Sequence, residues 1–452
     1  MNVIMSTTVD PDHSLQSFLD RGPYVGYCYS YPHKTAYRSL PKQTLKSVWQ
    51  DESTESLFLY AHVPFCEFRC GFCNLFTFSQ PAEAMVADYL AAFTRQAKTV
   101  ADSLPDAKFG QVAIGGGTPS FLSAKELGRF FKTLSDVLNV NGRDTPIGIE
   151  VSPATVDTDK LALMRDFGVD RVSMGVQSFD QNDIGSLGRP QKQEQVMRSV
   201  ELIRQFDFQT MNLDLIYGGE NQSIESWLAS IDATVQVEPE EIYVYPLYVR
   251  NLTGLSKRVR CDDDRRLELY QLGRSRLIDA GYQQVSMRMF CKPNSETQGV
   301  ATDYRCQADG MVGLGCGARS YTRTLHYGGR YGVRQSAIAK IISQYVQQSD
   351  VDFRHVDHGI ALDQHESRRR FVILSLFLVT GFLRQDYHDQ FGQDVLVDFP
   401  ELTELVANDM AEVSPRRVKL TELGISYSDA IGPWLYSQAV HERMEQYQWE
   451  MA

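Results

Sequence analysis

Six short apolar runs, each followed by a longer stretch of helical character, constrain this chain more than any other feature. The runs are Leu57 to Val63, Gln111 to Ile114, Ile147 to Val151, Arg171 to Val176, Met211 to Ile216 and Ile242 to Leu247. In the clearest intervening stretch, Ala82 to Ala101, the residues Val86, Tyr89, Leu90, Phe93, Ala97 and Val100 recur at helical spacing. Strands separated by helices cannot pair as tight hairpins and need crossover connections, so the pattern predicts an α/β fold with a parallel sheet and helices outside it. The sheet is either open and doubly wound or curved into an incomplete (β/α)6 barrel. In both, chemistry belongs at the C-terminal ends of the strands.

Polar residues collect at those ends. Three cysteines follow the first run, Gly115 to Thr118 follow the second, Glu150 lies at the end of the third and Gln177 follows the fourth. Asp214 lies in the C-terminal half of the fifth.

The core occupies residues 56–300 of the 452. An N-terminal extension, 1–55, carries the aromatic stretch Tyr24 to Tyr37. A connecting region, 301–365, closes the barrel, with Gly313 to Gly317 expected as a turn. Residues 366–452 form a C-terminal helical domain, in which the apolar run Phe371 to Val379 is a buried helix. That run is far short of the roughly 20 residues a bilayer helix needs. Acidic residues outnumber basic ones, 57 to 45, for a formal charge of -12. This balance excludes a chain built mainly to neutralise nucleic-acid phosphates.

Eight cysteines are too sparse for a disulfide framework in a chain this long, and no N-terminal apolar stretch resembles a signal peptide, so a reducing cytoplasm is expected. Cys66, Cys70 and Cys73 form a C-x3-C-x2-C loop directly after a strand. Three thiolates in one short loop can hold three irons of a 4Fe-4S cube and leave the fourth open to an outside ligand. Structural zinc calls instead for four ligands in paired spacings. Cys261, Cys291, Cys306 and Cys316 show no C-x2-C pair and are expected to be ordinary thiols.

These motifs resemble the radical S-adenosylmethionine (radical SAM) enzymes, and within them the group around oxygen-independent coproporphyrinogen III oxidase, the haem chaperones and the class C methyltransferases. The resemblance extends through Gly115-Gly-Gly-Thr-Pro119, Ile149-Glu-Val-Ser-Pro153, Arg171-Val-Ser-Met-Gly-Val-Gln-Ser-Phe179, Leu187-Gly-Arg189, Asn212-Leu-Asp-Leu-Ile-Tyr-Gly218 and Gly313-Leu-Gly-Cys-Gly-Ala318. It implies an incomplete TIM-like radical SAM barrel with a winged-helix-like C-terminal domain. It also implies one 4Fe-4S cluster on Cys66, Cys70 and Cys73, and S-adenosylmethionine (SAM) chelating the open iron. In such enzymes one electron from the cluster cleaves SAM to a 5′-deoxyadenosyl radical, which takes hydrogen from substrate.

The same resemblance assigns SAM contacts to Tyr60, Phe72, Gly116, Gly117, Thr118, Glu150, Gln177, Arg189 and Asp214. Phe72 would pack on adenine, and the glycines and Thr118 would present backbone and hydroxyl groups. Gln177, Arg189 and Asp214 match positions assigned to a second SAM. The implied partners are a small-molecule substrate and a reducing donor such as flavodoxin or ferredoxin; neither nucleic acid nor a membrane span is expected, and the chain is expected as a monomer.

Two positions depart from the group. Leu75 stands where the oxidases have a further cysteine and the chaperones an aromatic, and Gly218-Gly-Glu220 replaces Gly-Leu-Pro. The expected activity is hydrogen abstraction from a small, anionic or aromatic, possibly tetrapyrrole, substrate. Methyl or methylene transfer with two SAM molecules is the alternative, and a haem carrier using His33, His62 or His326 a further one. The Tyr-rich segment either folds over the open side of the barrel to touch substrate or packs outside it. The segment Arg416 to Gly424 is expected in a domain that covers the barrel mouth.

Overall fold

A computed structural model of the chain describes residues 13–257, 259, 261–293 and 309–448. Cys306 and the expected boundary at 300/301 lie outside the described residues. The six runs form parallel strands: β1 (Leu57–Val63), β2 (Phe109–Gly116), β3 (Ile147–Val151), β4 (Arg171–Gln177), β5 (Thr210–Tyr217) and β6 (Glu241–Pro246). They pair in sequence order, and the helices Glu83–Ser103, Ala124–Leu138, Thr158–Phe167, Gln193–Gln205 and Ile224–Gln236 carry the crossovers.

The helix starts follow local chemistry. Ser123 and Glu126 make a reciprocal capping box, and the side chains of Asp157 and Asp262 cap the helices that follow them.

The two faces of the sheet differ. Leu59, Ala61, Val112, Ile114, Ile149, Val172, Met174, Leu213, Leu215, Ile242 and Val244 are buried in one continuous apolar core. The alternate positions carry Tyr60, Glu150, Arg171, Ser173, Asn212, Asp214, Glu241, Tyr243 and Tyr245. Because side chains alternate along a strand, these polar groups share the inner face. The register places Glu150 beside Ser173, Ser173 beside Asn212 and Asn212 beside Glu241. A fully packed parallel sheet would be apolar on both faces. A polar inner face belongs to a barrel with a ligand-accessible interior.

The sheet extends beyond the six strands on both edges. Met311–Leu314 pairs parallel with β1 and leads through Arg319–Tyr321, Leu325–Gly328 and His355–Ala361 to Arg38–Thr44; Met289–Cys291 pairs antiparallel with β6. The expected turn at Gly313 to Gly317 is therefore half strand: Gly313 and Leu314 belong to the sheet, and only Gly315 to Gly317 turn. Gln177 ends β4 instead of following it, at a φ of 69°.

In the C-terminal region the helix Gln364–Leu376 buries Val372, Ile373 and Leu376 but stops before Val379. This region also holds a small antiparallel sheet, Phe382–Leu383, Arg417–Leu420 and Ala411–Val413, beside its helices. Among the described residues no helix is long and apolar enough to cross a membrane.

Candidate active site

The cysteine loop leaves the end of β1 and is pinned from several sides. Gly71 N–H donates to the Leu187 carbonyl at 3.1 Å, Leu255 N–H donates back to the Gly71 carbonyl at 2.9 Å, and Gln80 N–H donates to Cys66 at 3.1 Å. A side chain at Gly71 would meet the Leu187 carbonyl at 2.9 Å, so glycine is required for this close approach.

Each thiol has a polar neighbour. Cys66 Sγ lies 3.5 Å from Thr118 Oγ1, Cys73 Sγ lies 3.7 Å from Thr77 Oγ1, and Arg189 Nη1 donates to Cys70 Sγ at 3.3 Å. Burial pushes the Cys66 thiol up to about 12 and raises Cys70, and each thiolate is further opposed by its neighbours in the loop. Thiols that resist ionisation, as Cys66 and Cys70 do, suit a polycationic iron centre, whose charge is what would make them thiolates. Among the described residues no three His, Cys, Asp or Glu side chains are gathered to bind a single metal ion. By its chemistry, a set of three thiols in one short loop is what a four-iron cube with one open corner takes, whereas structural zinc takes four ligands.

The glycine motif packs against this loop. Gly117 N–H donates to Val63 and Thr118 N–H to Phe65, both at 2.8 Å, and Gly116 N–H donates to Glu150 Oε2 at 3.1 Å. These three amides are therefore engaged within the protein, and the Thr118 carbonyl accepts from Phe121 N–H at 2.8 Å. Gly116, at a φ of 116°, packs on the His62 ring, and a Cβ at Gly117 would lie 2.5 Å from the Phe65 carbonyl.

Inside the barrel, Tyr60, Glu150 and Asp214 come together electrostatically. Water reaches Glu150 from the mouth, but the surrounding protein desolvates it. Its carboxyl is pushed up to about 7 by burial, with the Asp214 charge adding to the rise and the Gly116 N–H opposing it. Burial raises Asp214 to about 6, opposed by its hydrogen bond from Asn212 and by the Arg171 charge. Tyr60 is raised by burial and by Glu150, and its hydroxyl lies 3.2 Å from His62 Nδ1. Deeper in the barrel, Arg171 Nε donates to Glu241 Oε2 at 2.8 Å, and Asn212 Nδ2 donates to Ser173 at 2.6 Å and to Asp214 at 2.8 Å. Asn212 Oδ1 is buried and makes no hydrogen bond within the protein.

Gln177 and Arg189 meet at Gly175, the residue paired with Asp214. All three guanidinium nitrogens of Arg189 are engaged: Nη1 on Cys70, Nη2 on the Gly175 carbonyl at 2.8 Å and Nε on Gln191 at 2.8 Å. Phe72 is half-buried beside Leu187, Ile216, Leu247 and Leu255. Leu75 is 52% exposed on the surface of the cysteine loop.

The Tyr-rich segment crosses the end of the barrel and does not pack only outside it. Tyr27 sits 6.4 Å from the Tyr245 ring with the Arg288 guanidinium 3.8 Å over its face, and Arg319 lies over Tyr29 at 5.0 Å. Arg288 and the Tyr248 hydroxyl both bond Asp429, which lies in the C-terminal helix Ser428–Trp434, and Gly26 N–H donates to the Asp429 carbonyl at 2.9 Å. The strap, the chain just past β6 and the C-terminal region are thus locked together at one residue, Asp429. A cleft of about 410 Å³ between the edge strands and helices near Gln96, Tyr345 and His358 includes none of the three loop cysteines and is a separate feature.

Sequence reasoning missed Arg171, Glu241, Asn212, Lys34 and Arg319 as members of this environment. The signal available for the first three was a polar residue at every second position of strands that are otherwise apolar.

Residues 60–233 match the model of the radical SAM superfamily. The oxygen-independent coproporphyrinogen III oxidase of Pseudomonas aeruginosa is 28% identical over 392 residues, covering 81% of this chain and 83% of that protein. The haem chaperone HemW of Escherichia coli is 30% identical over 267 residues, covering 58% of this chain and 69% of that protein. The solved structure of E. coli coproporphyrinogen III oxidase superposes over 90% of this chain and 96% of its own, with a TM-score of 0.79 at 24% identity, which establishes the shared fold. The chain belongs to the radical SAM superfamily, in the group that contains the oxygen-independent coproporphyrinogen III oxidases and the haem chaperone HemW.

Proposed function

We propose that this chain is a radical SAM enzyme, similar to the coproporphyrinogen oxidases, that takes hydrogen from a small-molecule substrate. Cys66, Cys70 and Cys73 would hold one 4Fe-4S cluster. When bound, the cluster and SAM supply a strongly reducing electron and a cleavable sulfonium, which together are the source of the radical. The observation that carries this reading is the position of the cysteine loop at the end of β1, beside a polar barrel interior that presents Tyr60, Glu150 and Asp214.

The chain's own residues would bind, orient and shield. Phe72 offers an apolar face for adenine, Tyr60 and Glu150 offer polar contacts to SAM, and the Thr118 hydroxyl stands beside Cys66. The strap and Asp429 limit the access of water to the mouth, protecting a reactive intermediate from side reactions.

Gln177, Arg189 and Asp214 would contact a second SAM. Because every Arg189 nitrogen already donates within the protein, that contact requires sharing. Counting SAM bound to reconstituted protein tests it: two per chain supports the second site and one removes it.

The competing reading, a haem carrier, has the HemW relatives in its favour. Its histidine candidates are poorly placed. His62 uses Nε2 on the Phe76 carbonyl at 3.0 Å and Nδ1 on Tyr60, and His33 uses its two nitrogens on Thr35 and Tyr29. His326 is wholly buried, with Nε2 on Arg370 at 2.9 Å.

Anaerobic turnover with coproporphyrinogen III and with a cell extract, read by mass spectrometry, separates the outcomes. Oxidative decarboxylation gives 5′-deoxyadenosine and carbon dioxide. Methyl transfer adds S-adenosylhomocysteine. A Soret shift with stoichiometric haem and no SAM cleavage would favour the carrier.

A further inference from the structure

Three arginines that meet the barrel and its strap carry a carboxylate partner, and Arg189 spends all its nitrogens on Cys70, Gly175 and Gln191. Arg171 is paired with Glu241, Arg266 with Asp263 and Arg288 with Asp429. Among the described residues neither Arg319 nor Lys34 has a carboxylate within ion-pair distance. Arg319 Nη1 instead reaches the Tyr29 hydroxyl at 3.3 Å and Ser30 Oγ at 3.5 Å. The Lys34 ammonium stands 3.4 Å over the Tyr331 ring and 6.0 Å from that of Tyr29. The Tyr331 hydroxyl donates to the Asn74 carbonyl, one residue beyond Cys73, so Lys34 stands beside the cysteine loop.

The two cations act on the same neighbours. Burial alone would push the Tyr29 phenol up, but the Arg319 and Lys34 charges outweigh it and pull it down to about 8. Burial lowers Lys34 to about 8, with Tyr29 opposing and the Arg319 charge adding to the fall. Arg319 also bears on Tyr60 inside the barrel. A pair of half-buried cations with no counter-charge, in a chain of net charge -12, is costly in the ligand-free protein and is balanced when an anion enters.

We propose that Lys34 and Arg319 are the receiving pair for a carboxylate of the small molecule that enters the barrel mouth beside Tyr60. Arg319 supplies a planar fork suited to a carboxylate, Lys34 a point charge, and the Tyr29 and Tyr331 rings hold the two in place. The inference deepens the proposed function and rests on it. It makes these two residues determinants of substrate class, selecting acids over neutral molecules of the same shape.

Calorimetry on the reconstituted protein tests this with three probes. Coproporphyrin III brings four carboxylates on a macrocycle, trimesate brings three without one, and SAM brings its own single carboxylate. The wild type is expected to bind at least one of the first two saturably. Arg319→Leu and Lys34→Met should each weaken that binding at least tenfold, Arg319→Lys should retain part of it, and SAM affinity should stay within twofold.

Thermal melts supply a second readout. Ligand-free Arg319→Leu should melt no lower than wild type, and the acid, at a concentration that saturates wild type, should raise the melting temperature of wild type more than that of Arg319→Leu or Lys34→Met. A wild type that binds neither acid, variants that bind both as well as wild type, or a loss confined to SAM would each overturn the proposal. Trimesate binding that depends on both residues, without coproporphyrin binding, would support the pair while removing a tetrapyrrole from the proposed function.

Discussion

Arg189 donates to the sulfur of Cys70 at 3.3 Å while its other nitrogens hold the Gly175 carbonyl and Gln191, so the cysteine loop is tied directly to the end of β4. The guanidinium also lies 5.6 Å from the Phe68 ring within the loop. A cation that donates to a ligating sulfur orients it and stabilises its thiolate form, the usual work of groups one step removed from a metal centre.

Replacing Arg189 with methionine should therefore leave a cluster that assembles but is labile. Outer contacts of this kind are worth about 10–100-fold in metal affinity. Iron release to a chelator, followed spectrophotometrically, should accelerate by about tenfold or more; an unchanged release rate would show that the contact does not support the loop.

The glycine motif permits a contrast between crowded and open positions. Gly116→Ala would force a left-handed backbone and a Cβ 2.4 Å from the His62 ring, and Gly117→Ala would drive a Cβ into a backbone carbonyl. Each should destabilise by about 2–4 kcal/mol and lower the melting temperature by several degrees. Gly128, inside the helix Ala124–Leu138 with open space around it, should gain about 0.5–1 kcal/mol as alanine. Melts of all three variants provide the check.

Asp429 is 1% exposed and accepts from both Arg288 and Tyr248. Asp429→Ala leaves a buried guanidinium without its partner and should cost about 3–5 kcal/mol, whereas the double variant Arg288→Met/Asp429→Leu should recover most of that loss. Limited proteolysis should cut near residues 24–37 faster in the single variant, because the strap loses the anchored ion pair beneath Tyr27. Equal losses in the single and double variants would contradict this account.

The raised carboxyls have a definite sign. Glu150 and Asp214 have folded values of about 7 and about 6, above their ordinary values of 4.5 and 3.8. Their stabilising contribution is complete below the ordinary values and is lost as pH rises through about 6 and 7. In cluster-free protein Glu150→Gln should match wild type near pH 4.5. Near pH 8 it should exceed wild type by about 1 kcal/mol, a figure reduced for the water that reaches this side chain. Melts across pH 4.5 to 8 test it, and a variant less stable than wild type at pH 8 would give the opposite sign.

The parts of this molecule that depend on local pattern were legible in the sequence, and the parts that depend on distant partners were not. Apolar runs located β1 to β6, and the cysteine spacing located the loop, because both are written within a few residues. The polar inner face was legible only in outline: Glu150 and Asp214 stood out, but nothing local marked Arg171 and Glu241 as partners until the register set them on the two strands that flank β5.

The position of the Tyr-rich segment was legible only as two alternatives, since Tyr29 meets Arg319 across 290 positions of sequence. The strands of the small C-terminal sheet were not located within the helical, winged-helix-like region for a related reason. Phe382–Leu383 and Ala411–Val413 are too short to show a period of two, and only their pairing with Arg417–Leu420 makes them strands.

The central claim, that Cys66, Cys70 and Cys73 hold a cluster that cleaves SAM, is tested most directly by 5′-deoxyadenosine formation after anaerobic reconstitution and strong reduction. The account predicts about four irons per chain and measurable 5′-deoxyadenosine in the wild type, with both lost in the Cys66→Ala/Cys70→Ala/Cys73→Ala variant. A wild type that carries the cluster and binds SAM, yet releases no 5′-deoxyadenosine under strong reduction with or without coproporphyrinogen III and cell extract, would contradict it.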